Sequence, residues 1–218
     1  MVRYGDWRSY YANLSTRSQF TAPVRYILNK PDMYRRQYIH QSEVDLTSMN
    51  RLLWEEHVNW TRMTIISIVF KLPDLPFVQE RLLQNATDMG NCLRPFYGDA
   101  IADQYADLIK EHLVIAAELV TAAVQGDTKT AGAKEKEWYR NADQIADFLS
   151  RINPYIDREV MRQMMYSHLT MTKNEAVWMI QKKFKEDVAI FDKIEAEALM
   201  MADYISNAMV AQFPYLFQ

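Results

Sequence analysis

The residues of this chain best suited to acid–base or metal chemistry near neutral pH are its four histidines, His40, His57, His112 and His168. Two of them fall on seams that read as inward. His112 stands among Leu108, Ile115 and Leu119, and His57 shares a face with Leu53, Trp54, Trp60, Thr61 and Thr64. Helix geometry places both at similar depth. At about 1.5 Å per residue, position 57 lies about 13 residues from the lower end of its helix, and position 112 lies about 13 residues above the start of its own. On antiparallel rods both fall near mid-height. The same level on the next helical segment is 138–141, and on the last one 186–187. His57, His112, Asn141 and Asp187 are therefore expected to share one polar layer, with Glu195 about two turns above.

Two readings of that layer stand side by side. Buried polar groups need only be paired, so the layer can be a structural set of hydrogen-bonded side chains. Alternatively, two imidazoles and a carboxylate would hold a divalent ion with open positions, and Fe, Mn or Zn accepts such ligands. The ligands would be His57, His112 and Asp187, with Asn141 and Glu195 in weaker roles. A dinuclear carboxylate site needs Glu three residues before His, whereas Trp54, Ile109 and Met165 occupy those places. Glu56 and Glu111 directly precede histidines and point about 100° away, which suits acceptors for imidazole N–H groups.

Other motifs carry less. His168 lies in Met161-x-x-Met164-Met165-x-x-His168-x-x-Met171, a spacing that reads as core packing, although thioethers with an imidazole would suit Cu(I). Thr172-Lys-Asn-Glu175 matches a capping box, which would give Glu175 a helix-start role. Phosphate loops, dinucleotide fingerprints, nucleophile elbows and H-E-x-x-H are absent. Cys92 reads as a small packed hydrophobe, and Arg94 as a cap or ion-pair partner.

The elements that must position these residues read as helices. Segments 47–70, 99–125, 128–152 and 173–212 carry the helical period; 77–98 reads as two short pieces broken at 85–87, Gly90 and 95–98, and 157–169 as a short helix. Asp99 is the expected N-cap of the second long segment. Gly126-Asp127 makes a tight reversal before the third, and Asn153-Pro154 ends it. The expected fold is all-α: a four-helix bundle with two helical crossovers, spanning 43–218, preceded by an N-terminal arm.

The arm, 1–42, is compositionally separate. It holds seven basic residues against two acids and eight aromatics, while the remainder of this net −3 chain carries net −8. It is expected to pack on the acidic body of the same or a neighbouring chain, and that body argues against nucleic acid as a partner. Five glycines and seven prolines in 218 residues are too few for turn-rich sandwiches or glycine phosphate loops. The single cysteine excludes an internal disulfide framework and suits a reducing compartment. The longest apolar stretch, 63–70, is far short of the ~20 residues of a membrane span, and the N-terminus shows no signal pattern. A cytoplasmic protein without a membrane span is the expectation.

Five runs resemble a family of small uncharacterised helical proteins of spore-forming Gram-positive bacteria. They are Leu53-Trp-Glu-Glu-His57-Val-Asn-Trp-Thr-Arg62-Met-Thr-Ile-Ile-Ser67, Leu93-Arg-Pro-Phe-Tyr-Gly98, Glu111-His-Leu-Val-Ile-Ala-Ala117, Trp138-Tyr-Arg-Asn-Ala142 and Ala198-Leu-Met-Met-Ala-Asp203. The resemblance covers about 50–213. Members often carry the label acetylglutamate kinase, so phosphorylation of acetylglutamate is the activity it implies. The residues themselves point first to a non-catalytic structural or interaction protein that self-associates through its arm and the Phe213-Pro-Tyr-Leu-Phe217 tail. They point second to a metal-binding bundle with a redox or storage role.

Overall fold

The computed structural model describes residues 39–218, so the arm expected at 1–42 lies almost wholly outside the described residues. Every regular element among those residues is helical. α1 is Gln41–Phe70, α2 Leu75–Tyr97, α3 Asp99–Gln125, α4 Thr128–Ile152, α5 Arg158–Ile180 and α6 Phe184–Gln212, with a closing 3₁₀ turn at Pro214–Leu216. The first helix starts inside the segment assigned to the arm. No helix among the described residues is long and apolar enough to cross a membrane.

The helices form because apolar residues recur at three- and four-residue spacing. In α1 the buried series runs Leu46, Asn50, Leu53, Trp54, His57, Val58, Thr61, Thr64, Ile65 and Ile68, and in α5 it runs Met161, Met164, Met165, His168, Leu169, Thr172, Glu175, Ala176 and Met179. Where each helix ends has a local cause. Lys71 adopts a left-handed backbone at φ 53°, and Leu72 N–H then donates to the Ser67 carbonyl at 2.9 Å. Gly126, at φ 76°, makes the α3–α4 reversal, and the Asp127 carboxylate caps α4 by accepting from Thr130 N–H at 3.0 Å. Asp157 does the same for α5, accepting from Glu159 N–H and Val160 N–H. Gly98, rather than Asp99, is the cap residue of α3, and Asp99 sits in its first turn, where a carboxylate favours the positive end of the helix.

Two expected breaks are continuous helix. α2 runs unbroken through Asn85 and Gly90, because both residues serve contacts with neighbours. Asn85 is buried and donates from Nδ2 to the Leu53 carbonyl of α1 at 2.9 Å. A β-carbon on Gly90 would stand 2.6 Å from the Ala102 carbonyl oxygen and 2.7 Å from Ala106 Cβ, so this glycine lets α2 and α3 touch backbone to backbone. Pro95 falls in the last turn of α2, three residues before the helix ends at Gly98. In α5, Thr172 and Glu175 are mid-helix and buried, and the capping box is not used. The chain instead turns at Lys182, φ 59°, and the last helix begins at Phe184, eleven residues later than 173. All six helices have 23 to 30 residues, so the expected contrast between long rods and short crossovers is not seen.

α1 is the most widely shared element, packing on α2, α3, α5 and α6; α3 also packs on α2 and α4, α4 on α5, and α5 on α6. Buried polar side chains fix these registers. Asn50 of α1 donates to the Ala202 carbonyl and Ser206 Oγ of α6, both at 3.0 Å. At the opposite end from the α3–α4 turn, Asn153 donates to the Tyr97 hydroxyl at 3.0 Å, and Gln212 accepts from Tyr97 at 2.7 Å. The C-terminal tail folds onto this end. Phe217 is buried and stacks on Phe96 with centroids 5.8 Å apart, and Phe213 meets Tyr97 edge-on at 5.1 Å, so these two rings of the tail are used within the chain.

The two helix-interior glycines α2 Gly90 and α4 Gly132 give opposite expectations. Gly90→Ala should destabilise by about 1–3 kcal/mol, because backbone and a neighbouring β-carbon must move. A β-carbon at Gly132 meets nothing within 4 Å, so Gly132→Ala should gain about 0.5–1 kcal/mol from helix propensity. Urea unfolding of the two variants checks both signs.

Candidate functional site

Three imidazoles meet in the interior. His57 of α1 lies with its ring centroid 6.5 Å from that of His112 on α3 and 5.9 Å from that of His168 on α5, and each residue is 3% exposed. Trp54 packs on His57 at 5.6 Å and Trp138 on His112 at 5.3 Å, so the walls of this layer are aromatic.

His112 is fully partnered. Its Nδ1–H donates to Asn141 Oδ1 at 2.8 Å, and its Nε2 accepts from Trp138 Nε1–H at 3.0 Å. Asn141 Nδ2 passes the chain on to the Leu108 carbonyl at 3.1 Å. This relay holds the ring neutral with its proton on Nδ1, and it leaves neither nitrogen as a metal ligand. Burial, together with the neighbouring imidazoles, pushes the His57 and His112 pKa values down to about 3, and burial pushes His168 down to about 4.

His57 and His168 differ from His112 in having an unpartnered buried Nδ1. Beside His168, at 3.3 Å from Nδ1, stands Oε2 of Glu197 from α6, which is 2% exposed. The pair is close but not aligned for a hydrogen bond, and both Glu197 oxygens lack a donor. Burial alone raises the Glu197 carboxyl well above the carboxylate range. Asn85 lies beside His57, and its Oδ1 also lacks an aligned donor.

Asp187 is elsewhere. Both of its oxygens accept from the Arg62 guanidinium, at 2.9 and 3.1 Å, and Arg62 also bonds Glu175. The displacement follows from the true start of α6. Eleven residues of delay move the mid-height level from 186–187 to 197–198, which puts Glu197 in the layer and Asp187 in the first turn. Glu195 is half-buried and hydrogen-bonds Glu55; burial first, and then that carboxylate neighbour, raises its pKa to about 7. Asn141 joins the layer as the acceptor for His112. The expected ligand set His57, His112, Asp187, Asn141 and Glu195 is thus not assembled, and among the described residues no group of three or more His, Cys, Asp or Glu already converges on a metal position. Sequence reasoning missed His168 and Glu197; the signal for His168 was its place on the Met stripe, which marks a fully buried face.

Above the layer a cavity of about 360 Å³ lies between α1, α3, α4 and α5. Its walls are apolar and mostly small, including Ala116, Ala117, Ala123, Ala131, Gly132 and Ala176. Where helices usually face one another with Leu or Ile, these positions leave a hollow. Thr61 and Thr172 line it one turn beyond His57 and His168, and their hydroxyls are buried without a hydrogen-bond partner. Lys173, which binds Glu135 across α4 and α5 at 2.5 Å, also lines it, as do Gly126 and Thr128 of the α3–α4 turn.

The remaining candidates are structural. Cys92 is pushed up to about 11 by burial, so its thiolate is disfavoured. Arg94 is an ion-pair partner, bonding Asp99 at 2.7 Å and Asp103 at 2.6 Å. Compared with protein-family models, curated proteins and solved structures, the chain matches none.

Two expectations follow. Below pH 6.5 the unfolded chain takes up protons that buried His57, His112 and His168 refuse, so stability falls as pH drops from 6.5 toward 4. Glu175, raised to about 7 by burial against the opposing pull of Arg62, and Glu197 act in the other direction, holding protons in the fold that the unfolded chain releases between 4.5 and 7. His112→Gln should flatten the acid limb by about one proton, read from unfolding free energies between pH 6.5 and 4. Arg62→Met leaves Asp187 and Glu175 facing each other without a cation. It should cost about 2–4 kcal/mol at pH 7.5 and less at pH 5.5, where Glu175 is protonated; paired unfolding curves at the two pH values check this.

Proposed function

We propose that this protein binds a small, largely apolar molecule in the cavity between α1, α3, α4 and α5, with those four helices acting as the bundle and α2 and α6 as its flanks. One observation carries the reading: an apolar hollow lined by Thr61 and Thr172, whose buried hydroxyls have no partner in the protein. An unpaired buried hydroxyl costs roughly 1–3 kcal/mol, and a ligand with one hydrogen-bonding group would relieve that cost. The volume falls within the range of about 300–1,000 Å³ typical of ligand pockets. It is more than twice the ~150 Å³ apolar cavity that holds benzene, which scales to a ligand on the order of a dozen non-hydrogen atoms.

The ligand chemistry follows from the lining. The imidazoles below are neutral and give no anion site, and Lys173 is already paired with Glu135. The best occupant is therefore an uncharged amphiphile with an aliphatic or aromatic body and a hydroxyl or amide head. In this reading the protein is a binding module, and the polar layer serves as a rigid floor.

A chain-length series of n-alkanols, followed by calorimetry and by the rise in melting temperature, tests this. Saturable binding at one site with a length optimum is expected. Filling the hollow with Ala176→Leu together with Gly132→Leu should weaken the best alkanol at least tenfold while leaving the helical circular dichroism intact. Absence of saturable binding, or equal binding by the filled variant, would overturn the reading.

A further inference from the structure

We propose that His57, His168 and Glu197 form a binding site for one divalent transition-metal ion of the iron, manganese or zinc class. Among buried side-chain atoms without a partner, the layer contributes His57 Nδ1, His168 Nδ1, both oxygens of Glu197 and Asn85 Oδ1. With His57 and His168 in the Nε2–H tautomer and Glu197 ionised, all of these are lone-pair donors. The one unpartnered N–H beside them is Trp54 Nε1. In that state the layer presents a set of lone pairs that is matched to a cation.

The donor types and spacing agree with that occupant. Two imidazole nitrogens and one carboxylate form a common three-ligand set for these ions, leaving positions for water. Metal–ligand bonds of about 2.0–2.2 Å place neighbouring donors roughly 3.0–3.4 Å apart, and His168 Nδ1 and Glu197 Oε2 are 3.3 Å apart. Imidazoles sharing one ion hold ring centres about 5 Å apart, against 5.9 Å between His57 and His168. The His57 ring must move closer for the set to close, so this third ligand is drawn in on binding. His112 cannot compete, because Trp138 and Asn141 occupy both its nitrogens. It lies instead as a fixed ring beside His57.

The charge balance is simple. Glu197 binds the ion as a carboxylate, and any proton on it is released to solvent. The bound set is then two neutral imidazoles, one carboxylate and the dication. Ionisable neighbours are His112 of α3 at the layer and, farther along α1, α5 and α6, the Arg62, Glu175 and Asp187 cluster. The proposal does not depend on the cavity having a ligand.

The test uses the untagged full chain, stripped with chelator and titrated separately with Mn²⁺, Zn²⁺ and Co²⁺. One equivalent per chain is expected, with Co²⁺ giving visible d–d absorption. Glu197→Gln, nearly isosteric, and His168→Ala should each weaken binding at least a hundredfold. His112→Gln and Asp187→Asn should bind within a few-fold of the parent chain. Should His168→Ala fail to fold, Glu197→Gln alone decides. Sub-stoichiometric metal in the parent chain, or undiminished binding by Glu197→Gln, would overturn the site. Loss on Asp187→Asn with retention in Glu197→Gln would assign the ion to the Arg62 cluster instead and would equally overturn it.

Discussion

An imidazole carried into an apolar interior must either find partners for both nitrogens or forfeit hydration that nothing replaces, and this chain carries in three, from three different helices. That requirement aligns the molecule. For His112 to be satisfied, Trp138 and Asn141 of α4 must present themselves to it from consecutive turns, which sets α4 against α3 to within a fraction of a turn. His57 and His168 add α1 and α5 at the same height, and Glu197 adds α6. A one-residue slip of α3 or α4 would turn the polar groups of the His112 relay by about 100° and leave them unpaired. Hydrophobic contact alone tolerates such slips far better, since one aliphatic neighbour substitutes for another.

The same helices carry small residues one to four turns above the layer. Close approach at Gly90 and Ala106 draws α2 onto α3, while the alanines of α3, α4 and α5 face each other too thinly to fill the space between them. The outcome is a rigid polar floor under an open apolar chamber. Its rigidity comes from the hydrogen-bond relay and its opening from side-chain size. The Arg62 cluster plays a different part. One guanidinium, itself packed over the Phe191 ring at 4.9 Å, joins the first turn of α6 to the C-terminal part of α5, and so fixes where the chain resumes after the turn at Lys182.

Much of this could be read from residue spacing. The helical period, the Gly126 reversal and the stop at Asn153 follow from rules acting within a few residues, and the depth count that paired His57 with His112 and Asn141 relied only on helix rise. What could not be read shares one cause. Helices here stop at Lys71 and Lys182 in left-handed backbone, a conformation usually marked by glycine, so the α5–α6 boundary left no compositional trace. The Thr172-to-Glu175 pattern then supplied a false start, since the same spacing places both residues on one buried face of a continuous helix. That single misplacement carried Asp187 into the layer in place of Glu197. Gly90 and Asn85 misled for a related reason: their role is in contact with another helix, which a local pattern does not contain.

The central claim is that the His112 ring is locked neutral, with its proton on Nδ1, by partners on α4. Long-range ¹⁵N–¹H correlation spectra of ¹⁵N-histidine-labelled protein, recorded from pH 7 down to pH 5, test it most directly. The account predicts one His112 signal set with a protonated Nδ1 and a bare, hydrogen-bonded Nε2, unchanged over that range. An imidazolium at pH 5.5, or a ring protonated on Nε2 instead, would contradict it.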